Sequence, residues 1–212
     1  MRMNNYTDNK NQTDDITNGQ NNNLHVDPGL FMTMLPGRGV KQIGAARYIT
    51  HSALIAAAYA ALTIGLAPIS FGQQQVRIAE ALAILPAFTP AAIPGLFLGC
   101  AIANTVSFLG LPDLIFGSLA TLISAQFTHM IACALTSKGR SVLMQAALLP
   151  LPAVLVNTVI IGAMLSVLLN ISFWLAAIGV LTGQALSCYG LGVPLFFLFR
   201  GHMRRTGARQ AK

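Results

Sequence analysis

Gln75-Val76-Arg77-Ile78-Ala79-Glu80-Ala81-Leu82-Ala83-Ile84-Leu85-Pro86-Ala87-Phe88 is the stretch on which the fold turns. Long apolar runs lie on both sides of it. Its own apolar part, Ile78 to Phe88, is too short for a membrane helix, which needs roughly 20 residues. Whether it crosses sets the side on which every later loop lies. It also carries Arg77 and Glu80, and Glu80 is the only glutamate in the chain. Ionisable groups in an apolar setting are costly and point to a site.

Working outward, five longer apolar segments surround it: about Tyr48 to Phe71, Ala91 to Leu109, Pro112 to Thr136, Val142 to Leu169 and Ser172 to Phe199. Pro90, Pro94, Pro112 and the Ser137-Lys138-Gly139-Arg140-Ser141 break separate them. The composition, 54% hydrophobic and 9% charged, with a mean hydropathy of +0.63, is that of a membrane protein. The formal charge of +7 does not indicate nucleic acid. Its basic residues flank apolar runs: Arg38, Lys41 and Arg47 first, Lys138 and Arg140 midway, then Arg200, Arg204, Arg205, Arg209 and Lys212. Basic loops stay on the cytoplasmic side. An even number of crossings therefore separates Arg47 from Lys138, and the short segment must be one of them. The expectation is an all-α membrane protein of six transmembrane helices with both termini cytoplasmic.

Three regions follow: residues 1–40, an Asn-rich disordered tail with a basic flank; 41–200, the six-helix domain; and 201–212, a basic cytoplasmic tail. The tail has no apolar core of a signal peptide. Translation from Met32 or Met34 would dispense with it.

This topology gathers polar side chains in the outer half of the bundle. Gln73, Gln74, Gln75 and Arg77 open the second helix, with Glu80 a turn deeper. Asn104, Asp113 and Trp174 lie near the outer ends of their helices, and Asn157 and Gln184 lie deeper. A pocket open to the outside is expected. Each group also has a plainer reading. Arg77 and Glu80 could neutralise each other at i,i+3. Asp113 follows Pro112 and suits a helix N-terminus. Asn157 and Gln184 could join helices. In the first helix Ala53, Ala57 and Ala61 form a small-residue stripe beside Ala56 and Ala60, fit for close packing within the bundle or against another membrane protein. Cys100, Cys133 and Cys188 read as small packing residues with no metal-type spacing. His51 and His129 are isolated. No protease, hydrolase or GxxxxGK[ST] phosphate-loop motif occurs, so no enzyme is expected, and any active transport would have to be powered by a partner.

Several ordered motifs resemble one family. They are Leu66-Ala67-Pro68-Ile69-Ser70-Phe71-Gly72, then Gln75-Val76-Arg77-Ile78-Ala79-Glu80-Ala81-Leu82, Ile93-Pro94-Gly95-Leu96-Phe97-Leu98-Gly99-Cys100-Ala101-Ile102-Ala103-Asn104, Asp113 to Leu122, Pro152 to Asn157 and Cys188 to Leu195. Together they are similar to the QueT queuosine-precursor transporters, over about residues 48–199. That family resembles the substrate-binding S components of energy-coupling factor (ECF) transporters.

The resemblance implies a cell-membrane subunit that captures a vitamin-like solute and binds a T component and two ATPases. Those partners consume ATP, and this chain carries no cofactor of its own. It also implies docking through Ala53, Ala56, Ala57, Ala60 and Ala61. Gly183-Gln184 stands where the family tends to have Gly-Glu. A queuosine precursor is a 7-deazaguanine. Glu80 could accept from its N–H donors, Arg77 or an amide could donate to its carbonyl, and Phe71, Phe108 or Trp174 could stack on its ring. Gln75, Asn104, Asp113, Asn157 and Gln184 complete the expected substrate site. The alternatives are an S component for another purine or heterocyclic vitamin, and a non-transporting membrane scaffold.

Overall fold

The structure is a computed structural model that describes residues 44–67 and 77–210, with side chains as far as Met203. The expected tail and basic flank (1–40), Phe71 and Gln73 to Gln75 lie outside the described residues. Every described element is helical. Helix α1 is Ala45–Gly65, α2 is the 3-10 helix Ile78–Ala87, and α3 is Ala92–Asn104. A π-helical turn, Asp113–Gly117, leads into α4, Ser118–Ser137. Helix α5 has two parts, Val142–Leu148 and Leu151–Leu169. Helix α6 runs through Phe173–Ala185, a π-helical stretch Leu186–Gly192, and Val193–Gln210.

Four of these are long and apolar enough to cross a bilayer: Ala45–Gly65, Asp113–Ser137, Val142–Leu169 and Phe173–Met203. With 10 and 13 residues, α2 and α3 are shorter than the segments expected from the sequence. At 3-10 and α-helical rises each extends about 20 Å, against a hydrocarbon core of about 30 Å. Two further differences have local causes. Pro150 lacks the N–H that would continue α5, and the helix breaks there into two pieces. The sixth helix outlasts its apolar stretch and runs on to Gln210, since loss of hydropathy marks a membrane boundary rather than a helix end.

The polarity of the bundle runs inside out. Leu54, Leu155, Val159, Val167, Ile178 and Leu198 face outward, while Arg77, Glu80, Asn104, Asp113, Asn157 and Gln184 are buried. Helix α2 lies in the middle, packed against α1, α3, α4 and α6. Its small residues Ala79, Ala81 and Ala83 make this passage possible, since all three are buried.

Close helix contacts use small residues. A Cβ on Gly95 would stand 2.7 Å from Ser52 O, and one on Gly99 would stand 2.7 Å from Ala56 O. Helices α1 and α3 therefore meet backbone to backbone. Ser52 Oγ, 2.9 Å from Ala91 O, donates across the same contact. The two alanine registers of α1 divide here: Ala56 and Ala60 are buried within the bundle, and Ala53, Ala57 and Ala61 are exposed.

Gly99→Ala is expected to destabilise the fold by about 1–3 kcal/mol, the usual cost of overpacking. Gly190→Ala, whose added carbon would find its nearest neighbour at 3.8 Å, should change stability by no more than about 0.5 kcal/mol. Denaturation of the two variants in one detergent checks this contrast.

Candidate functional site

The site begins where α2 begins. Arg77 precedes the first helical residue in an extended conformation, φ −85° and ψ 98°. Its side chain is thus not bound by the i,i+3 geometry of the helix. Among the described residues its ion pair is with Asp113, not with Glu80. Nη2 donates to Asp113 Oδ1 at 2.8 Å and Oδ2 at 3.0 Å. Both side chains are buried, at 3% and 0% exposure. Asp113 opens the π-helical turn, and its backbone carbonyl accepts from Asn104 Nδ2 at 2.8 Å. The pair therefore ties α2, the end of α3 and the start of α4 together.

Gly117 makes room for this junction. A Cβ there would overlap the Asn104 amide and lie 3.2 Å from Asp113 Oδ1 and 3.5 Å from Arg77 Nη1. The π-helical turn, which sets Asp113 and Gly117 on this junction, is a form found frequently at functional sites.

Glu80 is held separately. Tyr59 of α1 donates its hydroxyl to Glu80 Oε1 at 2.7 Å. Glu80 Oε2 is buried with no hydrogen-bond partner among the described residues. The Glu80 carbonyl accepts from Cys188 Sγ at 3.6 Å, and Cys188 also reaches Gln184 Oε1 at 3.7 Å. Gln184 of α6 is thereby linked to the backbone of α2. Cys100 joins the other side, 3.4 Å from Asn104 Nδ2 and 3.3 Å from Thr121 Oγ1. Cys100 and Cys188 are thus more than packing residues, whereas Cys133 is exposed.

Of the expected substrate residues, Arg77, Glu80, Asn104, Asp113 and Gln184 come together through these contacts. Asn157 is buried on α5, and its Nδ2 has no partner among the described residues. Trp174 is not brought to the cluster. It is 73% exposed and packs edge-on against Phe173, where its amphipathic ring suits a membrane boundary. Phe108 is likewise exposed. Gln75 and Phe71 lie outside the described residues. Tyr59, Gly117 and Thr121 were not foreseen, because their roles depend on distances across the bundle.

The cluster is closed, and the cavities of about 340 and 530 Å³ are lined by other residues. An apolar groove of about 530 Å³ runs between α1, α2 and α6, lined by Leu62, Leu82 and Leu195 among others. Among the described residues the cluster has two buried acceptors without a partner, Glu80 Oε2 and Asn104 Oδ1, and α5 has one such donor, Asn157 Nδ2. Buried polar atoms are normally satisfied, so such a set suits a polar ligand. Among the described residues no group of His, Cys, Asp and Glu could hold a metal ion.

Arg77→Ala should destabilise the protein by about 3–5 kcal/mol, because it strands the Asp113 carboxylate. The double variant Arg77→Met with Asp113→Leu should recover most of that loss. A double-mutant cycle by thermal denaturation measures the coupling.

The family described as QueT transporter matches residues 49–200. A curated protein, "Queuosine precursor transporter QueT" of Lactococcus lactis subsp. cremoris (strain MG1363), is 40% identical over 77 residues. That stretch is 35% of this chain and 45% of the relative, so the chain covers about half of its length. No solved structure matches.

Proposed function

The chain belongs to the QueT transporter family and is a multi-pass membrane protein; from that premise we propose that it is the substrate-binding membrane subunit of an ECF-type uptake transporter for a queuosine precursor. The observation that carries the site assignment is Glu80. Its carboxylate is held at one oxygen by Tyr59, and its second, buried oxygen has no partner among the described residues. A 7-deazaguanine presents adjacent N–H donors, which such an oxygen accepts with charge assistance. Asn104 Oδ1 offers a further acceptor and Asn157 Nδ2 a donor for the ring carbonyl. Arg77 holds Asp113 and positions the site rather than gripping the ligand.

In this reading all six helices pass through the cell membrane, α2 and α3 as short central passages, with both termini cytoplasmic. The role is transport rather than catalysis. A T component and two ATPases supply the energy, and Ala53, Ala57 and Ala61 form the exposed part of the docking face, with Ala56 and Ala60 buried inside the bundle. A second reading, another purine or heterocyclic vitamin, is favoured by the neutral Gln184, which gives α6 no charge for a cationic precursor.

Glu80→Gln is expected to weaken binding of 7-deazaguanines by about 10- to 100-fold, the worth of a charge-assisted hydrogen bond of about 1.5–3 kcal/mol. Calorimetric titration with a panel of 7-deazaguanines, purines and vitamins tests it. Unchanged affinity in a folded variant places the site elsewhere, and binding restricted to a purine or vitamin favours the second reading.

A further inference from the structure

At the far end of the bundle a cavity of about 340 Å³ lies between α2, α4, α5 and α6. Thr136, on its wall, lies in the last turn of the helix that begins near Asp113, so the two sites are separated by about 35 Å of helix axis. Phe88, Gln145, Phe196, Arg200 and Met203 also line it. Its base is apolar, with Leu149 and Phe196 buried. Thr136 and Met203 are exposed, so it reaches the periphery of the bundle.

Arg200 is the charged residue of this cavity. Its Nη1 donates to Gln145 Oε1 at 3.0 Å, and Gln145 Nε2 donates in turn to Arg140 O at 3.0 Å. The guanidinium lies 5.9 Å from the centre of the Phe196 ring. An amide and a ring orient the cation, but neither neutralises it. Arg200 Nε is buried with no acceptor among the described residues. The acids among those residues are Glu80 and Asp113, both engaged in the polar cluster. Lys138 and Arg140 add further positive charge to the adjoining loop, and Arg204 and Arg205 follow in sequence. A part-buried cation against apolar walls, with no acid beside it among the described residues, is suited to an anionic ligand.

We propose that this cavity binds the phosphate of an anionic phospholipid headgroup, with Arg200 as its donor. A guanidinium fork matches phosphate geometry. Free phosphate has the same headgroup chemistry, but the aromatic row favours a lipid. Phe88 lies 5.5 Å from Phe196 and 5.8 Å from Phe199, and Phe197, Leu198 and Phe199 are exposed beside them. That surface suits acyl chains. Basic sites between helices on the cytoplasmic side bind anionic headgroups in this manner.

The test uses the purified full chain in a neutral detergent, titrated with short-chain phosphatidylglycerol, short-chain phosphatidylcholine or inorganic phosphate, and read by thermal unfolding. Phosphatidylglycerol should stabilise the wild type beyond phosphatidylcholine. Arg200→Ala should weaken that binding by about fivefold, the equivalent of about 1 kcal/mol for a basic residue at an anionic surface, and Arg200→Lys should retain part of it. If Arg200→Ala does not fold, native mass spectrometry of the wild type decides by the ratio of retained phosphatidylglycerol to phosphatidylcholine. Equal response to both lipids, an undiminished preference in folded Arg200→Ala, or full stabilisation by inorganic phosphate would overturn the proposal.

Discussion

The buried pair of Arg77 and Asp113 is the interaction on which the interior of this bundle depends. Two charges cannot sit in an apolar core unless each answers the other. Their pairing fixes the entry of α2 against the start of α4, and the Asp113 carbonyl then draws in Asn104 from α3. Gly117 follows as a steric consequence, since no side chain fits beneath the pair. Three elements are thus registered by one ionic contact, and the polar groups around it inherit their positions.

Glu80 stands apart from that arrangement although it is only three residues from Arg77. Because Arg77 is committed to Asp113, the second carboxylate needs another partner. Tyr59 supplies one for a single oxygen. The division separates labour within the cluster: one acid completes the scaffold, the other keeps acceptor capacity in reserve. A membrane interior strengthens this logic, because no bulk water is present to satisfy the remaining atom. The central, alanine-rich passage of α2 is what carries Glu80 into the middle of the helices.

Much of this was legible in the sequence, for physical reasons. Apolar runs and basic breaks mark helices because lipid and water impose opposite demands. Arg77, Glu80 and Asp113 stood out because charge is rare in such a chain. Their pairing did not, since i,i+3 spacing favours Arg77 with Glu80 only if both lie on one regular helix. Arg77 lies just before it. Nor do ten residues distinguish a 3-10 period from an α period, so the form of α2 was hidden. Tyr59 is 21 positions from Glu80, and only the packing of α1 on α2 makes them partners. Trp174 is exposed rather than turned to the cluster, because a helix-end position near the polar residues does not say which way the ring faces.

The central claim is that Glu80 and its neighbours receive a 7-deazaguanine from outside the membrane. Its most direct measurement is a structure of the purified full chain with a queuosine precursor bound. The account predicts the guanine edge within hydrogen-bond distance of Glu80 Oε2, with the Arg77–Asp113 pair intact. A ligand seated elsewhere, with Glu80 still bonded only to Tyr59, would contradict it.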